Sequence, residues 1–178
     1  MRIVSGTHKG IIIHPPKGLP VRPTTDRAKE SLFNILENNF NFNNLHCLDL
    51  FSGTGNVAYE FCSRGATKVI SVDLDFGCVN FIKETAKKHQ FTQLKTFKKN
   101  AFTFIQQCDE KFDIIFADAP YALDTLTSIP EHIFNKELLN MDGWLIVEHQ
   151  SNLDLSQQKH FFDCRKYGQS AFSFFKHT

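Results

Sequence analysis

Two short runs hold the side chains whose types and spacing could do chemistry. The first is Leu48-Asp49-Leu50-Phe51-Ser52-Gly53-Thr54-Gly55-Asn56-Val57-Ala58. Gly53 and Gly55 would let a chain leaving a strand turn tightly and approach a ligand with its backbone, and Ala58 suits close packing of the helix that follows. Asp73 ends the next apolar run, 20 positions after Gly53, where a carboxylate can accept both hydroxyls of a ribose. That pair implies an adenosine-containing ligand.

A dinucleotide needs the helix start open to its pyrophosphate. Here Asp49 stands just before the glycines, and Phe51 and Ser52 fall where such a fold usually has another glycine. A carboxylate there repels phosphate and suits an amino group. S-adenosylmethionine is therefore expected over NAD. Phe51, Thr54, Leu74, Asn100 and Ala101 complete the expected cofactor set, with Asn100 read either as an acceptor for an adenine amine or as a turn former.

The second run is Phe112-Asp113-Ile114-Ile115-Phe116-Ala117-Asp118-Ala119-Pro120-Tyr121. It ends an apolar strand in a carboxylate, a rigid turn and an aromatic. An exocyclic amine of a base is a poor nucleophile because its lone pair is delocalised into the ring. Two acceptors, the Asp118 carboxylate and the Ala119 carbonyl, could hold its N–H groups and aim the lone pair at a methyl donor. Pro120 would fix the turn, Tyr121 could stack on the base, and Asp118 is the nearest proton acceptor. Methyl transfer to cytosine carbon would require a cysteine nucleophile beside the cofactor, and this loop has none.

Elements that could position these residues follow from periodicity. Candidate strands span 45–50, 68–73, 94–98, 112–118 and 144–148, separated by amphipathic stretches at 56–64, 76–89, 101–108 and roughly 123–139, the last interrupted by Pro130. Apolar strands alternating with helices imply right-handed βαβ units and a mostly parallel sheet covered on both faces. The runs 160–165 and 170–175 read as a closing antiparallel hairpin. At the front, Arg2–Val4 and Ile11–Ile13 form a hairpin, and Thr24, Thr25 or Asp26 caps a helix burying Ala28, Leu32, Ile35, Leu36 and Phe40. The expected fold is a doubly wound α/β sandwich: one domain over 1–178, its extension 1–44 packed on a Rossmann-like core 45–178.

The 178 residues are 42% apolar and 22% charged, ordinary for a globular protein, and the 19 phenylalanines are expected mostly in its core. Neither a signal-peptide core nor a membrane-length apolar run occurs, so a cytoplasmic protein is expected. Cys47, Cys62, Cys78, Cys108 and Cys164 form no C-x-x-C pair. Reduced thiols are expected, with no disulfide framework and no metal site.

Net charge is +1 overall, yet residues 1–31 carry +4 and the remainder −3. A basic front on a near-neutral body fits a polyanion. Arg2, Lys9, Arg22 and Arg27 are its candidate phosphate contacts, on the same side as the Asp118 loop and with Arg22 and Arg27 nearest the cofactor. An ion pair between Arg27 and Glu30 is the competing use of that arginine.

In this order the motifs resemble the RsmD-type family of 16S ribosomal RNA guanine-N2 methyltransferases over nearly the whole chain. The likeness rests on Arg2-Ile3-Val4-Ser5-Gly6 with Lys9-Gly10, on Arg22-Pro23-Thr24-Thr25-Asp26-Arg27-Ala28-Lys29-Glu30-Ser31-Leu32-Phe33-Asn34, on the glycine turn and on the Asp118 loop. The segment 22–34 is the most family-specific, since many methyltransferases share the glycine turn. The resemblance implies a class I methyltransferase fold and a metal-independent bacterial enzyme that modifies one guanine of the small ribosomal subunit; a monomer is expected. Two positions depart from the family pattern: Ala119 replaces the first of two prolines, and Ile11 replaces a frequent basic residue. Three alternatives stay open: an amino-methyltransferase of another base such as DNA adenine, an NAD-dependent oxidoreductase, and a non-catalytic RNA-binding protein.

Overall fold

The computed structural model describes residues 1–19, 25–120 and 126–177. Its elements run α1 (Asp26–Glu37), β1 (His46–Leu50), α2 (Asn56–Ser63), β2 (Lys68–Asp73), α3 (Phe76–Lys88), β3 (Leu94–Lys98), α4 (Ala101–Gln107), β4 (Phe112–Ala117), α5 (Ile129–Asn135), β5 (Leu139–Gln150), β6 (Phe161–Tyr167) and β7 (Ser170–Lys176). The seven strands form one sheet in the order β3-β2-β1-β4-β5-β7-β6. Every pairing from β3 to β5 is parallel, and β7 enters antiparallel between β5 and β6.

Strand order reverses beside β1, where β1 is flanked by β2 and β4. That is the switch point at which open α/β sheets bind ligands, outside the carboxyl ends of the strands. A core covers each face of the sheet. One joins Ile3 and Ile13 of the front hairpin to Leu32, Phe33 and Leu36 of α1, Phe61 of α2 and Phe172 and Phe174 of β7. The other gathers Leu48, Leu50, Ile115, Phe104 and Ile105 of α4, Ile129 and Ile133 of α5, and Phe175. All five cysteines are free thiols.

Several elements differ from their sequence expectation for local reasons. The stretch expected as one helix over 123–139 holds a 3-10 turn at Leu126–Ser128 and the short α5, with Pro130 in the first helical turn. There its missing N–H costs nothing, so it starts the helix rather than interrupting it. The strand expected at 144–148 begins at Leu139, because a bulge carries Asn140–Gly143 past β4 between the pairs Phe112–Leu139 and Ile114–Trp144. Gly143 suits that path: a Cβ would lie only 3.0 Å from the carbonyl oxygens of Asn140, Asp113 and Phe112, so those carbonyls would have to give way. α1 ends at Glu37 with Asn38 as its cap, and Phe40 packs beyond it, edge-on to Trp144 at 5.1 Å.

The front hairpin is reduced to one antiparallel bridge, Arg2 to Ile12, and is held from outside. Glu60 of α2 is fully buried and accepts from the backbone N–H groups of Val4 and Ser5 and from Arg64 Nε. Lys29 of α1, only 1% exposed, lies 3.3 Å from Glu60 and donates to the Arg2 carbonyl at 2.6 Å and to Asn56 Oδ1 at 2.7 Å. Three acceptors thus meet the three donors of the ammonium group, although burial still lowers the Lys29 pKa. The network ties the hairpin, α1 and the start of α2 together.

Candidate active site

Five loops at the carboxyl ends of the strands enclose a cavity of ≈ 1060 Å³. The chain leaves β1 with left-handed backbone at Phe51 (φ 59°), Gly53 (φ 52°) and Gly55 (φ 80°). Phe51 thus takes a conformation glycine adopts more easily, and Ser52 holds it there. The Ser52 hydroxyl donates to the Asp49 carbonyl at 2.7 Å and accepts from Val72 N–H at 2.8 Å, fastening the turn to β2. Gly55 lies behind the cavity at the helix start, where a Cβ would meet Tyr59 Cζ at 2.8 Å.

Asp49 is buried beneath this turn and accepts one backbone hydrogen bond, from Ala58 N–H at 3.1 Å. Burial pushes its carboxyl well above the usual carboxylate range, only partly offset by that bond. Asp73 accepts from Gly53 N–H and Asp75 N–H, both at 2.8 Å, one on each oxygen. Each oxygen keeps a lone pair for a further donor. Its pKa is also raised, again chiefly by burial. Leu74 is 64% exposed beside it.

Asp118 and Ala119 close the cavity from the end of β4, with Asp118 N–H donating to the Leu50 carbonyl. Burial raises the Asp118 carboxyl well above its ordinary value, and the negative charges of Glu148 and Asp49 push it further the same way. Asp49, Asp73 and Asp118, all with raised pKa in one cavity, suit a ligand that brings positive charge and hydrogen-bond donors.

The expected cofactor residues Asp49, Phe51, Gly53, Thr54, Asp73, Leu74, Asn100 and Ala101 line this one cavity together with the expected catalytic Asp118, Ala119 and Pro120. Asn100 is a helix cap: its Oδ1 accepts from Phe102 N–H at 3.0 Å and Thr103 N–H at 3.2 Å. The turn-forming alternative describes that oxygen. Tyr121 and Arg22 lie outside the described residues.

The described front cations, Arg2, Lys9 and Arg27, do not share one surface. Met1 Sδ accepts from the Thr54 hydroxyl at 3.6 Å, so Arg2 follows a residue that touches the glycine turn. Arg27 is exposed on α1 between Thr25 and Ala28, both of which line the cavity. Asp26 lies 3.8 Å from Arg2, and no ion pair among the described residues joins Arg27 to Glu30. Lys9, in contrast, sits on a turn whose neighbours Thr7 and His8 bond to Ser63, at the far end of α2. Eight residues of helix, roughly 12 Å, separate that end from the cavity. The expectation that Lys9 lies beside the Asp118 loop is therefore corrected: the hairpin runs the length of α2 and carries Lys9 to the opposite end of the strands. Lys29 is also lost to the surface charge.

Sequence reasoning missed Glu148, Phe102 and the β6–β7 turn at 167–170, all of which line the cavity. The order of the glycine and Asp118 motifs along the chain gave no sign of the turn, because it returns from the far edge of the sheet. Glu148 carried a signal that was readable: it ends an apolar strand, as Asp73 and Asp118 do.

Sheet order, glycine turn and carboxylate-lined cavity define a class I, S-adenosylmethionine-dependent methyltransferase fold. The model of the family described as conserved hypothetical protein 95 matches residues 1–176, and the chain belongs to that family, the RsmD-type methyltransferases. It is 32% identical over 161 residues to YlbH of Bacillus subtilis, covering 88% of this chain and 86% of that one. Ribosomal RNA small subunit methyltransferase D of Haemophilus influenzae is 32% identical over 159 residues, 87% of this chain and 81% of its own. Among solved structures, yhhF of Escherichia coli superposes with a TM-score of 0.86 at 24% identity, over 98% of this chain and 96% of that chain.

Proposed function

We propose that this protein methylates the N2 amine of one guanine in 16S ribosomal RNA, using S-adenosylmethionine. One observation carries the reading: the Asp118–Ala119 loop opens into the same cavity as the glycine turn and Asp73. The methyltransferase named for the small ribosomal subunit RNA in Haemophilus influenzae, similar over 87% of this chain, supports the choice of substrate. A cytoplasmic monomer needing no metal is part of the same proposal, and no helix among the described residues is long and apolar enough to cross a membrane.

The residues present fit the cofactor. Asp49, buried and short of hydrogen-bond donors, would take the amino group, and the two oxygens of Asp73 the ribose hydroxyls. Leu74, Ala101 and Phe102 offer apolar walls for adenine. When bound, S-adenosylmethionine supplies an electrophilic methyl group. The remaining work falls to the protein. The Asp118 carboxylate and the Ala119 carbonyl accept the two N–H groups of the target amine and orient its lone pair. Ala119 keeps that carbonyl without the rigidity of a proline. Positive charge in the cavity favours ionised Asp118, which can then accept the proton that the amine loses.

The base must be unpaired or flipped out to present this edge. Arg2 and Arg27, near the cavity, are the described phosphate contacts, and Arg22 belongs with them by sequence. The test is methyl transfer from labelled cofactor to purified 16S RNA and to small subunits, followed by nucleoside analysis. N2-methylguanosine is expected, and Asp118→Asn should slow single turnover by on the order of 10²–10³. N6-methyladenosine, or an unaltered rate in the variant, overturns the reading.

A further inference from the structure

The parallel register of β4 and β5 ends at the pair Ala117–Val147, so Asp118 and Glu148 follow at neighbouring positions on the cavity side of the sheet. Successive residues of a strand face opposite ways, and the next residue along β5 confirms the orientation. His149 is turned away and fully buried, its Nε2 paired with Ser173 Oγ at 2.7 Å. Glu148 lines the cavity and is only 4% exposed. Its charge is felt by Asp118, the group assigned to the target amine. A second carboxylate beside the first is placed to meet a ring atom next to that amine.

The neighbouring ring atom differs between the bases that carry an exocyclic amine. In guanine the N2 amine lies between N3, an acceptor, and N1–H, a donor on the Watson–Crick edge. In adenine the N6 amine is flanked by N1 with a lone pair. A carboxylate accepts from guanine N1–H and repels the lone pair of adenine N1. Resting on the guanine reading above, we propose that Glu148 is the base-selecting residue, accepting guanine N1–H while Asp118 and Ala119 hold N2. This gives the specificity a repulsive component as well as an attractive one, which discriminating sites commonly combine.

The probe is a 16S RNA fragment whose mapped target guanosine is replaced by 2-aminopurine riboside. That base keeps the N2 amine but has a lone pair at N1. The wild-type enzyme should methylate guanosine faster than 2-aminopurine by on the order of 10²-fold in single turnover, the discrimination of a good bidentate base contact. Glu148→Gln can turn an amide N–H toward that lone pair, so the guanosine-to-2-aminopurine ratio should fall about tenfold or more. Calorimetry with S-adenosylhomocysteine, unchanged in the variant, establishes that the site is intact. An unchanged ratio, whether both rates persist or both drop together, overturns the proposal, as does equal use of both bases by the wild-type protein. The guanine reading itself fails separately, if wild-type product contains no N2-methylguanosine.

Discussion

Asp49→Asn should make the cofactor-free protein more stable and the cofactor weaker, with a pH dependence that identifies the cause. Burial raises the Asp49 carboxyl well above its ordinary value, and Asp73 pushes it the same way. The folded protein therefore keeps a proton that the unfolded chain loses near pH ~3.9. Stability from this group is complete below that pH and is lost as pH rises through the folded-state pKa. While the difference of one proton persists, the loss is about 1.4 kcal/mol per pH unit. For a chain of this size each kcal/mol moves Tm by roughly 2–4 °C. The gap between variant and wild-type Tm should thus widen by about 3–6 °C per pH unit across that window. The asparagine oxygen can still accept from Ala58 N–H, so that hydrogen bond survives. The cofactor loses its charged acceptor, worth about 1.5–3 kcal/mol, or roughly 10- to 150-fold in affinity. Thermal melts from pH 4 to 8 without ligand, and calorimetry with S-adenosylhomocysteine, read the two effects. A Tm gap that stays constant or narrows with rising pH would mean that Asp49 is already ionised in the empty site. That result would refute the burial argument, and an affinity for S-adenosylhomocysteine unchanged in the variant would refute the ammonium assignment.

Two further outcomes concern the front of the chain. Neutralising Arg2 and Arg27 together should raise the KM for RNA and flatten its salt dependence while sparing cofactor affinity, whereas Lys9→Ala should change neither. Salt titrations of RNA binding decide this, and an effect of Lys9 equal to that of the arginines would refute the placement of the docking surface. Lys29→Met leaves buried Glu60 without its lysine and should cost about 3 kcal/mol. Denaturant unfolding that shows less than about 1 kcal/mol would mean that Arg64 and the backbone N–H groups satisfy Glu60 alone.

The parts of the fold written in local pattern were legible. Strands β1 to β4 and helices α2 to α4 each carry their own periodicity and turn chemistry within a few residues, so their limits matched closely. The pairing of glycine turn with Asp73 was readable because a strand-turn-helix unit fixes that distance by itself, and Gly53 N–H does meet Asp73 at 2.8 Å. What was not legible depends on contacts distant in sequence. Lys29 looked like one more surface cation, because nothing within α1 announces a carboxylate from residue 60. The length of β5 was hidden because its bulge is set by the carbonyls of β4 against Gly143. Asn100 could be read two ways until α4 was seen to begin at Ala101 and to need a cap.

The front of the chain shows why charge counting and docking geometry diverge. Six cations in the first 31 residues suggest one basic face, but a hairpin held along α2 separates Lys9 from Arg2 and Arg27, and Lys29 is buried. Glu60 fixes that division by accepting from Val4 and Ser5, and Gly6 makes it possible. A Cβ there would sit 1.8 Å from the Ser63 carbonyl oxygen, so only glycine lets the turn press against the end of α2. The same network reaches the cavity: Lys29 holds Asn56, the first residue of α2 and part of the cavity lining. The extension thus has a structural connection to the cofactor turn beyond its charge. It braces the helix start that carries Gly55 and Asn56, while α1 brings Thr25 and Ala28 to the rim with Arg27 exposed between them. Position on this brace, more than net charge, decides which of the cations can contact RNA held at the Asp118 loop.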